Sequence, residues 1–493
     1  MRTRVEVALA TEDGDLPPGW SLETIGGLVG SEGVFIDGDW VESKDQDPDG
    51  DVRLIQLADI GDGEYRNRSA RFLTRKKAIE LGCTFLKKGD VLIARMPDPL
   101  GRACIFPGNP KSSVTVVDVA IVRSANGEFD HRWLMYFVNA PAFRVAVASM
   151  QSGSTRKRIS RGNLAKIALP VPPLDQQKRI VAEIEKQFSR LDEAVANLKR
   201  VKANLKRYKA AVLKAAVEGR LVETEASIAR REGRSYETGE QLLQRILEAR
   251  RSQWKGRGKY KEPTAPDTTD LPELPEGWAW ATWDQISNWV TYGFTRPMPH
   301  VEKGVPIVTA KHVIDGKIEL NDTHKTPHQN YVELSDKDRP VPGDILITKD
   351  GTIGRAAVVP EHDGFCINQS VAVVWLRACP IHRQYLLAII ESQLVQRPVR
   401  EKARGVAIRH LSITDFAKLP LPVSPINEQQ RIVAEIDRRL SVLREIGGQA
   451  DANLKRAERL RRAILRAAFT GGLAATNRIS GDPELRGLFS RNA

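Results

Sequence analysis

The sequence of this 493-residue chain contains the same series of motifs twice, in the same order. LPPGW at residues 16–20 recurs as LPEGW at residues 274–278. LPVPPLDQQKRIVAEIE at residues 169–185 recurs as LPVSPINEQQRIVAEID at residues 421–437. The offset drifts slightly between these pairs, as small loop insertions in a diverged duplication would cause. Because only two copies of about 250 residues are present, the pattern predicts a duplicated domain and not a solenoid.

Within each copy, short apolar runs stand between Gly, Pro and Asp residues. KKGDVLIAR, ending at Arg95, corresponds to VPGDILITK, ending at Lys349. GRACIFP, starting at Gly101, corresponds to GRAAVVP, starting at Gly354. Apolar runs of this length, bounded by turn-forming residues, are typical of strands. Each copy is therefore predicted to be an α+β domain with a central sheet.

Each globular copy is followed by a long stretch without proline, in which apolar residues recur at spacings of three and four. The first series is Ile184, Phe188, Leu191, Val195, Leu198, Leu205 and Val212, and the second is Ile432, Ile436, Leu440, Leu443, Ala450, Leu454, Ala457 and Ile464. This spacing predicts two helical arms with an apolar seam. A helix of about 47 residues would be about 70 Å long, which is too long to be buried in its own domain. A core helix or an oligomerisation coil is the alternative.

If the two arms pair antiparallel about their midpoints, they form a coiled coil in which large side chains oppose small ones. Leu191 would then face Ala457, and Leu205 would face Leu443. The pair at residues 447–448 is Gly-Gly, and glycine inside a helix costs about 1 kcal/mol relative to alanine. We therefore expect a local bend or a loosened turn at that point.

These observations divide the chain into seven segments. They are an N-terminal tail at residues 1–15, a first domain at 16–172, a first helical arm at 173–222, a partly helical linker at 223–273, a second domain at 274–422, a second arm at 423–474, and a C-terminal tail at 475–493.

Composition narrows the class of protein only a little. The formal net charge is +13 and the pI is about 9.5, which favours a polyanionic ligand but also suits a long soluble chain without one. Four scattered cysteines form no CxxC pair, so buried reduced thiols are expected. The first 20 residues are too charged for a signal peptide or a membrane span, and a cytoplasmic location is expected.

Several of these motifs together resemble one known family, the specificity subunits of Type I restriction-modification systems. They are the LPxGW motifs at Leu16 and Leu274, the GDxLI strands at Gly89 and Gly343, the PPLDQQKRIV and PINEQQRIV junctions, and the arm ends LKAAVEGRL and LRAAFTGGL. The resemblance covers nearly the whole chain. It is highly specific as a set, although each motif alone is weak.

The resemblance implies that each globular copy is a target recognition domain for one half of a bipartite double-stranded DNA site. It implies further that the arms form a spacer that docks two methyltransferase subunits, and that restriction and translocase subunits join the complex. S-adenosylmethionine, ATP and magnesium would be bound by those partners and not by this chain. Two similar domains on an antiparallel arm pair would also share the pseudo-symmetry of duplex DNA.

Candidate DNA contacts come from the basic residues near loops. A Gly-containing basic loop precedes each arm, and equivalent basic residues flank a second loop in each copy; Lys311 stands where the first copy has Ala58. The candidates are Arg156, Lys157, Arg158, Arg95, Arg102, Lys311, Lys349, Arg355, Arg404, Arg409 and His410. Phosphate contact is the simplest role, and arginine can also read guanine. For any single residue, a solvated surface charge is an equally good interpretation.

Enzyme interpretations find little support in the sequence. There is no glycine-rich methyltransferase loop, no GxxxxGK[ST] motif and no HExxH pair. In GDILITK, Asp344 and Lys349 could suggest a nuclease, but Ile347 stands where the second carboxylate belongs. No catalytic or metal-binding residue is therefore predicted. The alternatives to a DNA-specificity subunit are a coiled-coil scaffold with protein-binding domains and an enzyme of unrecognised type.

Overall fold

The computed structural model describes residues 5–6, 16–96, 99–254, 259–377, 379–401, 403 and 410–470. Its contacts divide the chain into two compact units. The first unit combines residues 1–199 with residues 451–493, and the second comprises residues 200–450. Each unit therefore holds one globular copy together with parts of both helical arms.

The first globular copy mixes short strands and short helices. Its elements are β1 Val5–Glu6, β2 Ser21–Thr24, α1 Ile25–Val29, β3 Val34–Asp37, β4 Val52–Ile55, β5 Phe72–Leu73, α2 Arg75–Glu80, β6 Val91–Ala94, β7 Ala103–Ile105, β8 Ser112–Thr115, β9 Val119–Arg123, α3 His131–Val138, α4 Pro141–Ser149, α5 Arg161–Ala165 and β10 Ile167–Val171. The first arm is the single helix α6, Leu174–Val217, and the linker contains α7, Glu225–Glu232, and α8, Gly239–Ser252.

The second copy repeats this order from β2 onward, with one additional pair of short strands, β14 and β15. Its elements are β11 Ala279–Thr282, α9 Trp283–Ile286, β12 Trp289–Tyr292, β13 Val305–Val308, β14 Val313–Ile314, β15 Lys317–Ile318, β16 His324–Thr326, α10 His328–Val332, β17 Ile345–Thr348, β18 Ala356–Val358, β19 Cys366–Ile367, β20 Val371–Trp375, α11 Arg383–Glu391, α12 Gln393–Glu401, α13 Ile413–Ala417 and β21 Pro420–Val423. The second arm is α14, Ile426–Phe469.

Both copies are built on a four-stranded sheet with the same strand order, as the repeat predicts. The order is β3-β9-β6-β7 in the first copy and β12-β20-β17-β18 in the second, antiparallel throughout. A smaller three-stranded sheet accompanies each, β5-β4-β8 in the first and β16-β13-β19 in the second. The expectation of α+β domains with central sheets is confirmed.

The apolar runs that predict strands form the middle of each main sheet. In β6, Val91 and Ile93 face the core that contains α3 and α4, whereas Leu92 and Ala94 face a second cluster with β7 and β9. Ile345 and Leu346 of β17 are divided between two clusters in the same way. Burial on both faces explains why these strands are continuously apolar and do not alternate.

In each unit, parts of the two arm helices pack side by side along the predicted seam. In the first unit, Leu191 and Ala457 belong to one buried cluster. In the second, Leu205 and Leu443 line one cavity, and a Cβ on Gly447 would lie 3.9 Å from Leu205 Cδ1. Both pairs therefore lie in regions where the arms pack together, and the register between the arms stays a prediction.

The Gly-Gly pair of the second arm does not interrupt its helix. α14 continues without a break from Ile426 to Phe469, so the predicted loosened turn is absent. The first arm ends as expected, because Gly219 follows α6 with φ +67°, a conformation that glycine adopts without strain. The corresponding Gly471 lies outside the described residues.

The two repeated motifs meet each other at the start of each arm. Trp20 of LPPGW donates its indole N–H to Gln176 Oε1 at 2.9 Å, and Trp278 of LPEGW donates to Glu428 Oε1 at 3.1 Å. This pairing anchors the beginning of each domain to the first turn of the arm that follows it. Sequence comparison finds both motifs without indicating that they are in contact.

A buried glutamine next to each of these acceptors ties the arm to its domain a second time. Gln177 accepts the backbone N–H of Asp130 at 2.8 Å, and Gln429 accepts that of His382 at 2.9 Å. Asp130 and His382 immediately precede α3 and α11. The glutamine of each QQ or EQ motif is therefore a structural clamp, which explains why the junction motif is retained in both copies.

Candidate nucleic-acid interface

The basic loop of the first domain is a closed hairpin that presents its cations to solvent. Ser152 and Arg158 exchange two backbone hydrogen bonds, of 2.8 and 2.9 Å. Gly153 has φ +93°, and a Cβ there would lie 2.4 Å from the carbonyl oxygen of Arg156, so glycine is required. Arg156, Lys157 and Arg158 are all exposed. The loop can therefore offer three cations to a polyanion without rearranging the backbone.

Arg95 lies at the base of this loop and is largely buried. Its Nη1 donates to the carbonyl of Ile159 at 3.1 Å, its Nη2 donates to the carbonyl of Val117 at 2.6 Å, and its Nε lies 3.0 Å from Asp37 Oδ1. The side chain is 11% exposed. These contacts give Arg95 the role of holding the loop in place, and its predicted role as a direct DNA contact gains no support from this position.

The second domain has the same connection at its corresponding loop. The backbone N–H of Leu411 donates to the carbonyl of Lys349 at 2.8 Å, as Ile159 does to Arg95 in the first copy. His410 is exposed and its Nδ1 lies 2.7 Å from Asp350 Oδ1, which also accepts from Lys349 Nζ at 2.8 Å. The candidates Arg404 and Arg409 lie outside the described residues.

Lys311 is brought to the same region through one serine. It lies exposed on the 3-10 turn Ala310–His312, whose first backbone N–H donates to Ser370 Oγ at 3.0 Å. The carbonyl of Ser370 in turn accepts from the backbone N–H of Lys349 at 2.8 Å. The structure thus places Lys311 near Lys349 and His410, although these residues are far apart in sequence.

The residue after Lys311 differs in chemical character between the two copies but has the same structural role in both. His312 is buried, and its Nδ1 accepts the backbone N–H of Thr309 at 2.9 Å. Asp59, its counterpart in the first copy, is also buried and accepts the N–H of Gln56 at 2.8 Å. Both side chains cap the same turn, and burial lowers the pKa of His312, which keeps the ring neutral.

The second equivalent pair, Arg102 and Arg355, has diverged between the copies. Arg102 is half-buried, and its guanidinium donates to the carbonyls of Ile60 at 2.8 Å and Leu57 at 3.1 Å. Arg355 is exposed and lines a cavity of about 250 Å³ with Lys209 of α6. Arg102 therefore holds the first domain's own turn together, whereas Arg355 keeps its charge at the surface.

Sequence reasoning overlooked two acidic residues that organise these loops. Asp37 and Asp350 each pair with a predicted cation, Arg95 and Lys349 respectively. Carboxylates attract no notice in a search for DNA contacts, because their charge has the wrong sign. Asp350 follows Lys349 directly in sequence, but its contact with His410, and that of Asp37 with Arg95, form only when distant segments pair.

The residues considered for a nuclease also have structural roles. Asp344 is buried and accepts the backbone N–H groups of Val341 at 3.1 Å and Leu376 at 3.3 Å, and burial raises its pKa. In the described part of the chain, no cluster of three or more His, Cys, Asp or Glu side chains could hold a metal ion. The four cysteines are buried and free, as expected. No helix among the described residues has the length and apolar character needed to cross a membrane.

The fold and the loops together define a protein with two related domains, each of which presents basic residues beside the end of a central strand. The family profile described as Type I restriction modification DNA specificity domain matches residues 19–207 and 302–447. Because these two matches cover more than half of the chain, this protein belongs to that family.

Known proteins similar to this chain include specificity subunits of Type I restriction enzymes from Escherichia coli. The EcoBI subunit is 27% identical over 349 residues, which are 69% of this chain and 66% of that protein. The EcoEI subunit is 21% identical over 486 residues, 86% of this chain and 78% of that protein. The fold is shared with a chain in a structure of the type I R-M system, with a TM-score of 0.61, 18% identity, and coverage of 93% of this chain and 99% of that one.

Proposed function

We propose that this chain is the sequence-specific DNA-binding subunit of a Type I restriction-modification complex, in which each globular domain reads one half of a bipartite target. The observation that carries the proposal is a repeated backbone link between the end of a central strand and the segment after each predicted basic loop. Ile159 bonds to Arg95 in one copy, and Leu411 bonds to Lys349 in the other. Membership of the specificity family supports double-stranded DNA as the ligand.

The sign and exposure of several loop charges support binding to a duplex. Arg156, Lys157 and Arg158 in the first domain, and Lys311 and His410 in the second, are exposed on backbone that the rest of the domain holds in place. Cations of this kind bind phosphates and fix the position of the domain, while base contacts from the same region supply sequence specificity. Arg158 and Arg156 can in principle serve either purpose.

The helical arms would set the distance between the two half-sites. Each arm is a helix of 44 residues, about 66 Å in length. Its two ends are buried in the cores of the two units, and the middle of its seam is half-buried. A spacer of fixed length gives fixed half-site spacing. The outer faces of the arms would dock two methyltransferase subunits, and restriction and translocase subunits would join that assembly.

We propose further that this subunit is not itself catalytic. Asp344 is fully engaged within its domain, and the basic side chains of the loops are suited to binding phosphate and not to activating water. S-adenosylmethionine, ATP and magnesium would be bound by the partner subunits. Because its ligand is chromosomal or invading DNA, the complex would work in the cytoplasm.

Selection from a pool of random duplexes tests this function. The full chain, assembled with its methyltransferase subunits, is expected to enrich a bipartite sequence with two defined halves and a fixed unspecified gap. Enrichment of no sequence would contradict the proposal and would favour a protein-binding scaffold. Methylation or cleavage by the pure chain alone would contradict the non-catalytic part.

The basic loop is tested by the double variant Arg156→Gln and Lys157→Gln. Loss of two phosphate contacts is expected to weaken binding to every duplex and to reduce the slope of log affinity against log salt by about two. Lys76→Gln, which changes an exposed lysine of α2, is the matched control and should leave the slope unchanged. An unchanged slope in the double variant would exclude this loop from the interface.

A further inference from the structure

One position next to the candidate loops differs in chemical character between the two copies. Asp37 ends β3 and pairs with Ala120 of β9, and Tyr292 ends β12 and pairs with Ala372 of β20. β3 and β12 are the edge strands that occupy the same place in the two main sheets. Asp37 and Tyr292 are therefore structural equivalents, although the motifs around them are not similar in sequence.

In the first domain this position carries a carboxylate held by arginines. Asp37 lies 3.0 Å from Arg95 Nε and 3.8 Å from Arg161 Nε. Arg161 is exposed and follows directly on the basic loop, and its Nη1 donates to the carbonyl of Phe35 at 3.0 Å. The carboxylate is partly exposed, so one side of it remains available to a donor from a ligand.

In the second domain the same position carries an aromatic ring with two lysines near it. Tyr292 is 37% exposed, and Lys349 Nζ and Lys337 Nζ lie 5.4 and 5.5 Å from its ring centroid. Lys337 Nζ also donates to the carbonyl of Tyr292 at 3.0 Å. Cation–π contacts of this kind hold the ring in one orientation while its remaining surface is open to solvent.

The surroundings of Tyr292 connect it to the second basic loop. Lys349 is one residue from Asp350, and Asp350 pairs with His410 at 2.7 Å. These contacts connect an exposed aromatic ring, two half-buried ammonium groups and an exposed histidine. Each ammonium group is also paired with a carboxylate, Lys349 with Asp350 at 2.8 Å and Lys337 with Asp338 at 3.0 Å. Aromatic rings of fixed orientation offer apolar surface, and the ammonium groups beside them bind phosphate.

We propose that Tyr292 and Lys337 contact the DNA half-site read by the second domain, and that the pair Asp37 and Tyr292 is one position at which the two domains encode different half-sites. This inference rests on the proposed DNA-binding function. The tyrosine ring offers a surface for thymine methyl groups and deoxyribose, and Lys337 binds a phosphate beside it. The carboxylate of Asp37 instead offers an acceptor to an amino group such as that of cytosine.

Duplex selection with single variants of the full chain, assembled with its methyltransferase subunits, tests this inference. Tyr292→Ala is expected to change the preferred base, or to lower discrimination on the order of tenfold, at one or two positions of one half-site only. Asp37→Asn is expected to act on the other half-site only. Lys337→Gln is expected to weaken binding to all duplexes and to reduce the salt slope by about one.

Trp289→Ala is the matched control, because Trp289 is an exposed aromatic residue of the same strand, three positions away and on the opposite face. It should leave both halves of the selected sequence unchanged. Tyr292→Leu retains apolar bulk on the strand and is used if Tyr292→Ala melts at a lower temperature than the wild-type protein. The same change in one half-site is expected from it.

The outcomes separate this inference from the function on which it rests. If the wild-type protein selects no bipartite sequence, the proposed function itself fails. If the wild-type protein selects such a sequence and the folded Tyr292 variants select the identical one with the same discrimination, the function stands and this inference is overturned. A change confined to the half-site that the second domain reads supports both.

Discussion

Arg95 and Ile159 hold each other through two hydrogen bonds, one in each direction. The backbone N–H of Ile159 donates to the carbonyl of Arg95 at 3.1 Å, and Arg95 Nη1 donates to the carbonyl of Ile159 at 3.1 Å. The end of a central strand and the base of the exposed basic loop are therefore fixed to each other. The geometry of the candidate interface therefore depends on Arg95, although this side chain is almost inaccessible to solvent.

Replacement of Arg95 by alanine is expected to destabilise the first unit and to loosen its loop. The change removes the bonds to Ile159 and Val117 and leaves Asp37 without its closest partner. The expected loss of unfolding free energy is about 2–4 kcal/mol. Thermal melting and amide hydrogen exchange of residues 152–159 measure it.

Arg156→Ala is the control for this prediction, because Arg156 lies exposed on the same loop. Its effect on stability should stay within about 0.5 kcal/mol, while DNA binding weakens. Equal melting temperatures for Arg95→Ala and the wild-type protein would contradict the role of Arg95 in holding the loop in place.

Glu428 is expected to be required as a carboxylate in the second unit. It is fully buried and accepts two N–H groups, the indole of Trp278 at 3.1 Å and the backbone N–H of Glu225 at 2.8 Å. In Glu428→Gln the side chain has one carbonyl oxygen, so one buried donor loses its acceptor, at a cost of about 1–3 kcal/mol. Faster hydrogen exchange of α7, which begins at Glu225, is the expected result.

In the first copy, glutamine occupies the position that corresponds to Glu428. Gln176, at the equivalent position, accepts the indole N–H of Trp20 with its single carbonyl oxygen. Glu223→Gln, which changes an exposed carboxylate near α7, is the control and should leave the exchange of α7 unaltered. Unaltered exchange in Glu428→Gln would count against the two-acceptor role.

The stability of the second domain is expected to fall as the pH drops below about 6.5, the ordinary pKa of histidine. Burial lowers the pKa of His312 in the folded state, so the unfolded chain takes up a proton at a pH where the folded one does not. Protonation would also abolish the bond that Nδ1 accepts from Thr309, beside the charges of Lys311 and Asp322. Melting temperatures from about pH 7.5 to about pH 5, the range in which histidine titrates, measure the effect.

His312→Asn is expected to make that pH dependence shallower, because the amide oxygen can accept the N–H of Thr309 without titrating. His300→Asn, which changes an exposed histidine, is the control and should retain the wild-type profile. Identical profiles for wild type and His312→Asn would assign the pH dependence to other groups.

Replacement of both glycines in α14 by alanine is expected to stabilise the protein. The helix is unbroken there, a Cβ on Gly448 would meet nothing within 4 Å, and one on Gly447 would lie 3.9 Å from Leu205 Cδ1. The gain is about 1 kcal/mol for each glycine, seen as a rise in melting temperature. Gly219→Ala should do the opposite, because φ is +67° and its Cβ would lie 2.3 Å from Pro275 Cγ.

Much of the architecture follows from local features of the sequence. The repeat predicts two domains of one fold, and three-four spacing predicts the seam from Ile184 to Val212, because burial on one helix face demands it. The loosened turn expected at residues 447–448 is absent, because the cooperativity of a long flanking helix outweighs a cost of about 1 kcal/mol for each glycine.

The candidate site was only partly accessible to such reasoning. The sequence does not distinguish a basic residue that faces solvent from one that faces the interior. In the structure, Arg95 is buried and Arg156 is exposed. Burial is set by which distant segments pack over a side chain, and here Ile159 and Val117 cover Arg95. Tyr292 gave no signal in the sequence, because its residue type differs from that of Asp37 and its contacts with Lys349 and Lys337 form only in the folded domain.

The duplication, the α+β class, the long arms and the basic balance can all be read from the amino-acid order, because they depend on periodicity and composition that each segment carries locally. Three other features are decided only by the folded structure. The first is which basic side chains are hydrogen-bonded inside their own domain. The others are the bond between Trp20 and Gln176 that joins two motifs, and the equivalent positions of Asp37 and Tyr292 in the two sheets. Those relationships are set by strand pairing between segments far apart along the chain. No local pattern encodes such pairing, since it arises from the packing of the whole domain.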